Sequence, residues 1–140
     1  MLLVPPTTSA SKATPRATIL LVEDDPFQAH AHLETLERVA AVDRATDASD
    51  AFIRIEEPGF RDNLALVIAG LRLPGVANTA FVSELIARLP HVPILAIGRI
   101  GETAATYPSH HVHFLPHTVQ EDELLHAVRK ILSRRLQRVA

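Results

Sequence analysis

Short apolar runs alternate along the chain with segments whose apolar positions recur at helical spacing. "TILLV" (Thr18 to Val22) is a run without polar interruption, the pattern of a strand buried on both faces, and it passes into the acidic triplet Glu23-Asp24-Asp25. Asp25 is placed to cap a first helix, with Pro26 at its first position, Gln28 completing a capping box, and Leu33, Leu36 and Ala40 as its apolar stripe. "AVDRA" (Ala41 to Ala45) is a weaker, edge-like strand. Asp47 then caps a second helix carrying Ala51, Phe52 and Ile55, which Pro58-Gly59 stops. The third strand lies in "LALVIAGLRLPG" (Leu64 to Gly75), and Asn78 is a candidate cap for a third helix with a stripe of Phe81, Val82, Leu85, Ile86 and Leu89. "VPILAI" (Val92 to Ile97) predicts a fourth strand and "GETAATYP" a short, weakly patterned fourth helix. "HVHFL" (His111 to Leu115) predicts a fifth strand at the sheet edge. A last helix runs from about Gln120 to Val139, with Leu125, Val128, Ile131, Leu132, Leu136 and Val139 facing inward.

Five strand-helix units in one chain predict an α/β fold, a doubly wound five-stranded parallel sheet with helices on both faces. The 140 residues suit one such domain. The first 17 residues, rich in Thr, Ser, Ala and Pro, are expected to form a flexible leader to a domain spanning 18–140. In folds of this kind the working residues gather at the carboxyl ends of the strands. Here those ends offer Glu23, Asp24 and Asp25, then Gly70, then Gly98-Arg99, then Pro116-His117-Thr118.

Composition narrows the chemistry. There is no cysteine, which excludes disulfides and thiolate sites. A net charge of -2 gives no reason to expect nucleic acid or a membrane surface as partner. No apolar run approaches the ~18 residues of a membrane span, and the start is a poor signal peptide, so a cytoplasmic protein is expected.

The residues at the strand ends resemble those of response-regulator receiver domains. "ILLVEDDP", "LRLPG" after a buried strand, "VPILAIG" and "FLPH" match that family's landmarks over roughly residues 17 to 135. The resemblance implies the flavodoxin-like (βα)5 architecture and a place in two-component signalling and phosphorelay. It also assigns roles. Glu23 and Asp24 match the acidic pair that helps hold Mg²⁺, and Phe114 falls on the aromatic switch position. Gly70 occupies the place of the phosphoacceptor aspartate, four residues before Pro74. Gly98 replaces the Thr or Ser that contacts the phosphoryl group, and His117 replaces the lysine that reaches its oxygens.

Phosphoryl transfer to a carboxylate needs that carboxylate, and glycine supplies no nucleophile. Mg²⁺ usually takes one or two carboxylates together with phosphate oxygens, so its binding here is expected to be weak or absent, with Glu23 and Asp24 its only weak candidates. The expected protein is thus a stand-alone degenerate pseudo-receiver, not an enzyme and without a cofactor, acting by protein–protein interaction. Its expected partners are a sensor kinase, another regulator or a second copy. The face formed by the fourth helix, strand five and the last helix, with Phe114, Arg129, Lys130 and Arg134, is the surface the resemblance implies for dimerisation. Two alternatives stand beside it. One is a receiver that accepts phosphate on another residue. The other is a pH- or metal-responsive sensor using His111, His113 and His117. In a more modest form of the second, His117 takes the lysine's place as partner of Glu23 and Asp24.

Overall fold

The structure is a computed structural model that describes residues 17–72, 77–107 and 112–139, and in the last helix side chains to residue 134. The alternation of the sequence builds five parallel strands: β1 (Thr18–Glu23), β2 (Ala41–Ala45), β3 (Leu64–Gly70), β4 (Ile94–Ile97) and β5 (Val112–Leu115). They form one sheet in the order β2-β1-β3-β4-β5, with β2 and β5 at its edges. Among the described residues four α-helices accompany them: α1 (Pro26–Leu36), α2 (Ala48–Ile55), α3 (Asn78–Arg88) and α4 (Glu121–Val139). This is the flavodoxin-like α/β arrangement, in which the change of strand order beside β1 and β3 opens a crevice at their carboxyl ends.

Burial on both faces explains the uninterrupted apolar runs. Every residue of β3 is buried, as are Ile19 to Glu23 of β1. Alternate strand residues feed two cores. Leu20, Val22, Val67, Ala69, Ile94 and Ala96 pack with Ala51, Ile55, Phe81 and Leu85 from α2 and α3. Ile19, Leu21, Leu66, Ile68, Leu95 and Ile97 pack with Leu36 from α1 and Leu124, Val128 and Ile131 from α4. Each fully buried aliphatic side chain contributes about 1.5–3 kcal/mol.

Several local expectations are corrected. Asp25 caps α1 by accepting from the Phe27 N–H at 2.9 Å, but Gln28 closes no capping box there. The Asp25 N–H donates instead to Glu23 Oε2 at 3.2 Å. The inward stripe of α1 includes His32, which is buried, whereas Leu33 is only half-buried. Asn78 is the first residue of α3 rather than its cap, because its side chain turns into the protein and leaves Ala77 at the cap position. The segment expected to form a fourth helix makes a single 3-10 turn, Ala104–Thr106, among the described residues. Reciprocal bonds between Thr103 and Thr106 close that turn, and Tyr107 takes the extended backbone favoured before Pro108. Residues 1–16 of the expected leader (1–17), and His111, lie outside the described residues. Among those described, no helix is long and apolar enough to cross a membrane.

Candidate functional site

At the carboxyl end of β1 and β3, Glu23 and Gly70 are direct cross-strand partners. Parallel neighbours in register point their side chains to the same face of a sheet. The Glu23 side chain therefore runs over a residue that has none. A Cβ on residue 70 would lie 3.0 Å from Glu23 Oε1. Gly70 does not have a positive φ, so it is not there for a left-handed turn. Its missing side chain makes room for a carboxylate.

That carboxylate is fully buried (0% exposed) and held from several sides. Arg72 donates from Nε to Glu23 Oε2 at 3.2 Å and to Oε1 at 3.4 Å, and the Asp25 N–H adds the bond already described. Burial pushes the Glu23 carboxyl up to about 7, against the pull of the Arg72 guanidinium. His32 Nδ1 stands 4.0 Å from Glu23 Oε1, beyond hydrogen-bond distance. Burial, then the nearby Arg72 charge, lowers the His32 pKa from its ordinary value and favours the neutral ring. Asp24 accepts the Arg72 backbone N–H on both carboxylate oxygens, each at 2.9 Å. Arg44 donates to the Glu23 carbonyl through Nη2 at 2.9 Å and Nε at 3.3 Å, fixing the end of β1 from the β2 side.

The second glycine is filled as well. Phe114 pairs with Ala96 across β4 and β5, and its ring reaches along the sheet toward Gly98. A Cβ on residue 98 would come within 2.5 Å and 2.7 Å of the ring carbons Cε1 and Cζ of Phe114. The ring also packs on Tyr107, with centroids 5.9 Å apart. The aromatic side chain thus stands in the volume that a threonine or serine would need.

A closed circuit of hydrogen bonds fixes the residue after Gly70. The Leu71 N–H donates to Asn78 Oδ1 at 3.2 Å, and Asn78 Nδ2 donates to the Ala69 carbonyl at 3.2 Å and to the Tyr107 hydroxyl at 2.9 Å. The Tyr107 hydroxyl donates to Glu102 Oε1 at 2.9 Å, and the same oxygen accepts the Arg99 N–H at 2.8 Å. Arg99 Nε then donates to the Leu71 carbonyl at 3.3 Å. Both backbone groups of Leu71 and the N–H of Arg72 are therefore held by side chains from the β1–α1 turn, α3 and the β4–β5 connection. Burial raises the Tyr107 pKa to about 12, so its hydroxyl remains a donor across the physiological range.

Glu23, Asp24, Gly70 and Gly98 stand at the carboxyl ends of the strands, and the ring of Phe114, expected on the outer β5 face, lies against Gly98. Among the described residues no hydrogen bond or ion pair joins His117 to Glu23 or Asp24, so the proposed replacement of a lysine by His117 is not realised. The cation on Glu23 is Arg72, and the histidine beside it is His32. His113, in contrast, faces α4, and among the described residues no group of three His, Asp or Glu side chains is arranged to hold a metal ion. Sequence reasoning missed Arg72, His32, Asn78, Tyr107 and Glu102. The available signal was Arg72, a charged residue two positions after a strand buried along its whole length.

Comparison with solved structures gives the class to which this fold belongs. A response-regulator receiver domain protein from Clostridium thermocellum matches with a TM-score of 0.74 at 18% identity, covering 86% of this chain and 98% of that one. A receiver domain protein from Methanospirillum hungatei matches at 0.72 and 17% identity, covering 87% and 98%. One from Sinorhizobium medicae matches at 0.71 and 19%, covering 86% and 98%. No protein-family model and no curated protein sequence matches the chain. The fold is that of receiver domains, at sequence identities that speak for the fold alone.

Proposed function

We propose that this chain is a degenerate receiver in two-component-type signal transduction, a cytoplasmic module that works by binding other proteins and accepts no phosphate. The observation that carries this reading is the Glu23–Arg72 pair lying across Gly70. A phosphoacceptor must place a carboxylate oxygen in line with the donor phosphorus. At residue 70 there is no such oxygen, and the space beside it holds the Glu23 carboxyl, which the Arg72 guanidinium hydrogen-bonds.

The same arrangement bears on Mg²⁺. An octahedral ion takes oxygen ligands and retains several waters. Glu23 offers a buried carboxylate occupied by Arg72 and the Asp25 N–H, Gly70 offers none, and Asp24 binds the Arg72 backbone. This donor set does not fit the ion, and Arg72 supplies in its place a positive charge that is part of the chain. Phe114 over Gly98 likewise takes the place of a group that would read a phosphoryl oxygen. The Asn78–Tyr107–Glu102–Arg99 circuit holds Leu71 through both of its backbone groups.

Such a module is not an enzyme; it presents a fixed surface to a sensor kinase, another regulator or a second copy of itself. At one edge of the sheet stands β5, preceded among the described residues by a single 3-10 turn. Titration with Mg²⁺ and beryllofluoride, followed by amide NMR, tests the reading. The amides of Glu23, Asp24, Arg72 and Gly98 are expected to stay in place. Saturable movement of these amides overturns it.

A further inference from the structure

A groove of about 260 Å³ opens between the edge strand β5 and the helix α4. Its apolar floor includes Leu95 and Ile131, and its polar lining is His113 from β5 with His126, Lys130 and Arg134 from α4. Residues 126, 130 and 134 are four apart, so they lie along one stripe of the helix. No acidic side chain lines the groove among the described residues. Basic residues toward the carboxyl end of a helix complement its dipole, but that does not explain why a histidine from a neighbouring strand meets them in one concavity.

We propose that this groove binds a small phosphate-bearing ligand, a free phosphate monoester or inorganic phosphate, through His113, His126, Lys130 and Arg134. Two permanent positive charges and two imidazoles in one small volume call for more negative charge than one carboxylate carries. The volume suits a compact group rather than a length of peptide. Lys130 and Arg134 are exposed and can close over an oxyanion, Arg134 with a planar fork of donors and Lys130 as a point charge. His113 is half-buried at the back. Burial, then Arg134 and Lys130, lowers its pKa from the ordinary value. The groups facing it are His126, Lys130 and Arg134 from α4 and Leu95 from β4, none of them acidic. A bound dianion supplies the missing countercharge and reverses that shift. This site is independent of the phosphoacceptor reading and involves no covalent step.

Imidazole NMR of the full chain, titrated with inorganic phosphate against acetate at constant ionic strength, tests it. Phosphate is expected to produce saturable shifts confined to the β5–α4 groove and to raise the His113 midpoint by about one pH unit. Acetate is expected to produce neither. Lys130→Gln and Arg134→Gln, singly, remove exposed charges and are expected to keep the fold, checked by urea unfolding, while weakening phosphate binding about tenfold each. Shifts that fail to saturate, that spread equally over the histidines, that acetate reproduces, or that survive both substitutions overturn the proposal.

Discussion

Glu23 Oε1 stands 3.0 Å from the point where a Cβ on Gly70 would lie, and the two residues are register partners on adjacent parallel strands. One residue's side chain occupies the space the other gives up. Introducing an aspartate at residue 70 would therefore place a second carboxylate against a buried one. Gly70→Asp is expected to destabilise the fold by about 2–4 kcal/mol at pH 8, where both groups tend to ionise, and by less at pH 5. Urea unfolding at the two pH values measures this.

The ring of Phe114 and the vacancy at Gly98 form a second such pair. Gly98→Thr drives a methyl-bearing carbon into the ring and should cost about 1–3 kcal/mol through overpacking. Phe114→Ala removes a half-buried ring and destabilises by itself. Combined, the two substitutions should cost less than their sum by about 1 kcal/mol or more, because the second makes room for the first. A double-mutant cycle in urea reads that coupling.

Glu23 gives the protein a pH dependence with a definite sign. Its carboxyl is raised in the fold from an ordinary 4.5 to about 7, so the stability it contributes is fully present below 4.5 and is lost as pH rises through 7. His32, lowered in the fold, acts in the other direction, its contribution being present above its ordinary value of 6.5 and lost as pH falls through its folded value. Comparison with Glu23→Gln isolates the first effect. That variant is expected to lack the Glu23-dependent fall in stability between pH 4.5 and 7, and to match or exceed the native chain at pH 8. Arg72→Met leaves a buried charge without its partner and should lose about 3–5 kcal/mol at pH 8 but much less at pH 5. Thermal unfolding across this pH range checks both.

Asn78 is 1% exposed and uses its amide to hold Leu71, Ala69 and Tyr107. Asn78→Ala orphans a buried N–H and a buried carbonyl and is expected to cost about 2–4 kcal/mol. Tyr107→Phe removes only the hydroxyl link and should cost about 1–2 kcal/mol. Equal losses in chemical denaturation would contradict the assignment of Asn78 as the centre of the circuit.

The sheet was legible in the sequence because strands buried on both faces leave uninterrupted apolar runs, and "LALVIAG" is one of them. Gly70 and Gly98 were legible too, as strand-end positions that carry no side chain. What filled them was not. Glu23 and Arg72 are 49 residues apart, and a pairing at that distance follows from strand register rather than from local pattern. Asn78 reads as a helix cap because residues of its type favour that position, yet three buried partners drew its side chain inward. His32 was hidden for a similar reason, a polar residue on the inward face of α1 while the expected Leu33 sits half-exposed. The helix expected before β5 gave way to a 3-10 turn, because Pro108 and the Thr103–Thr106 bonds work against any longer helix.

The central claim, that this receiver fold accepts no phosphate, meets its most direct test in intact-mass measurement after incubation with acetyl phosphate and Mg²⁺. The account predicts that the mass of the chain does not change. A stable gain of one phosphoryl group would contradict it.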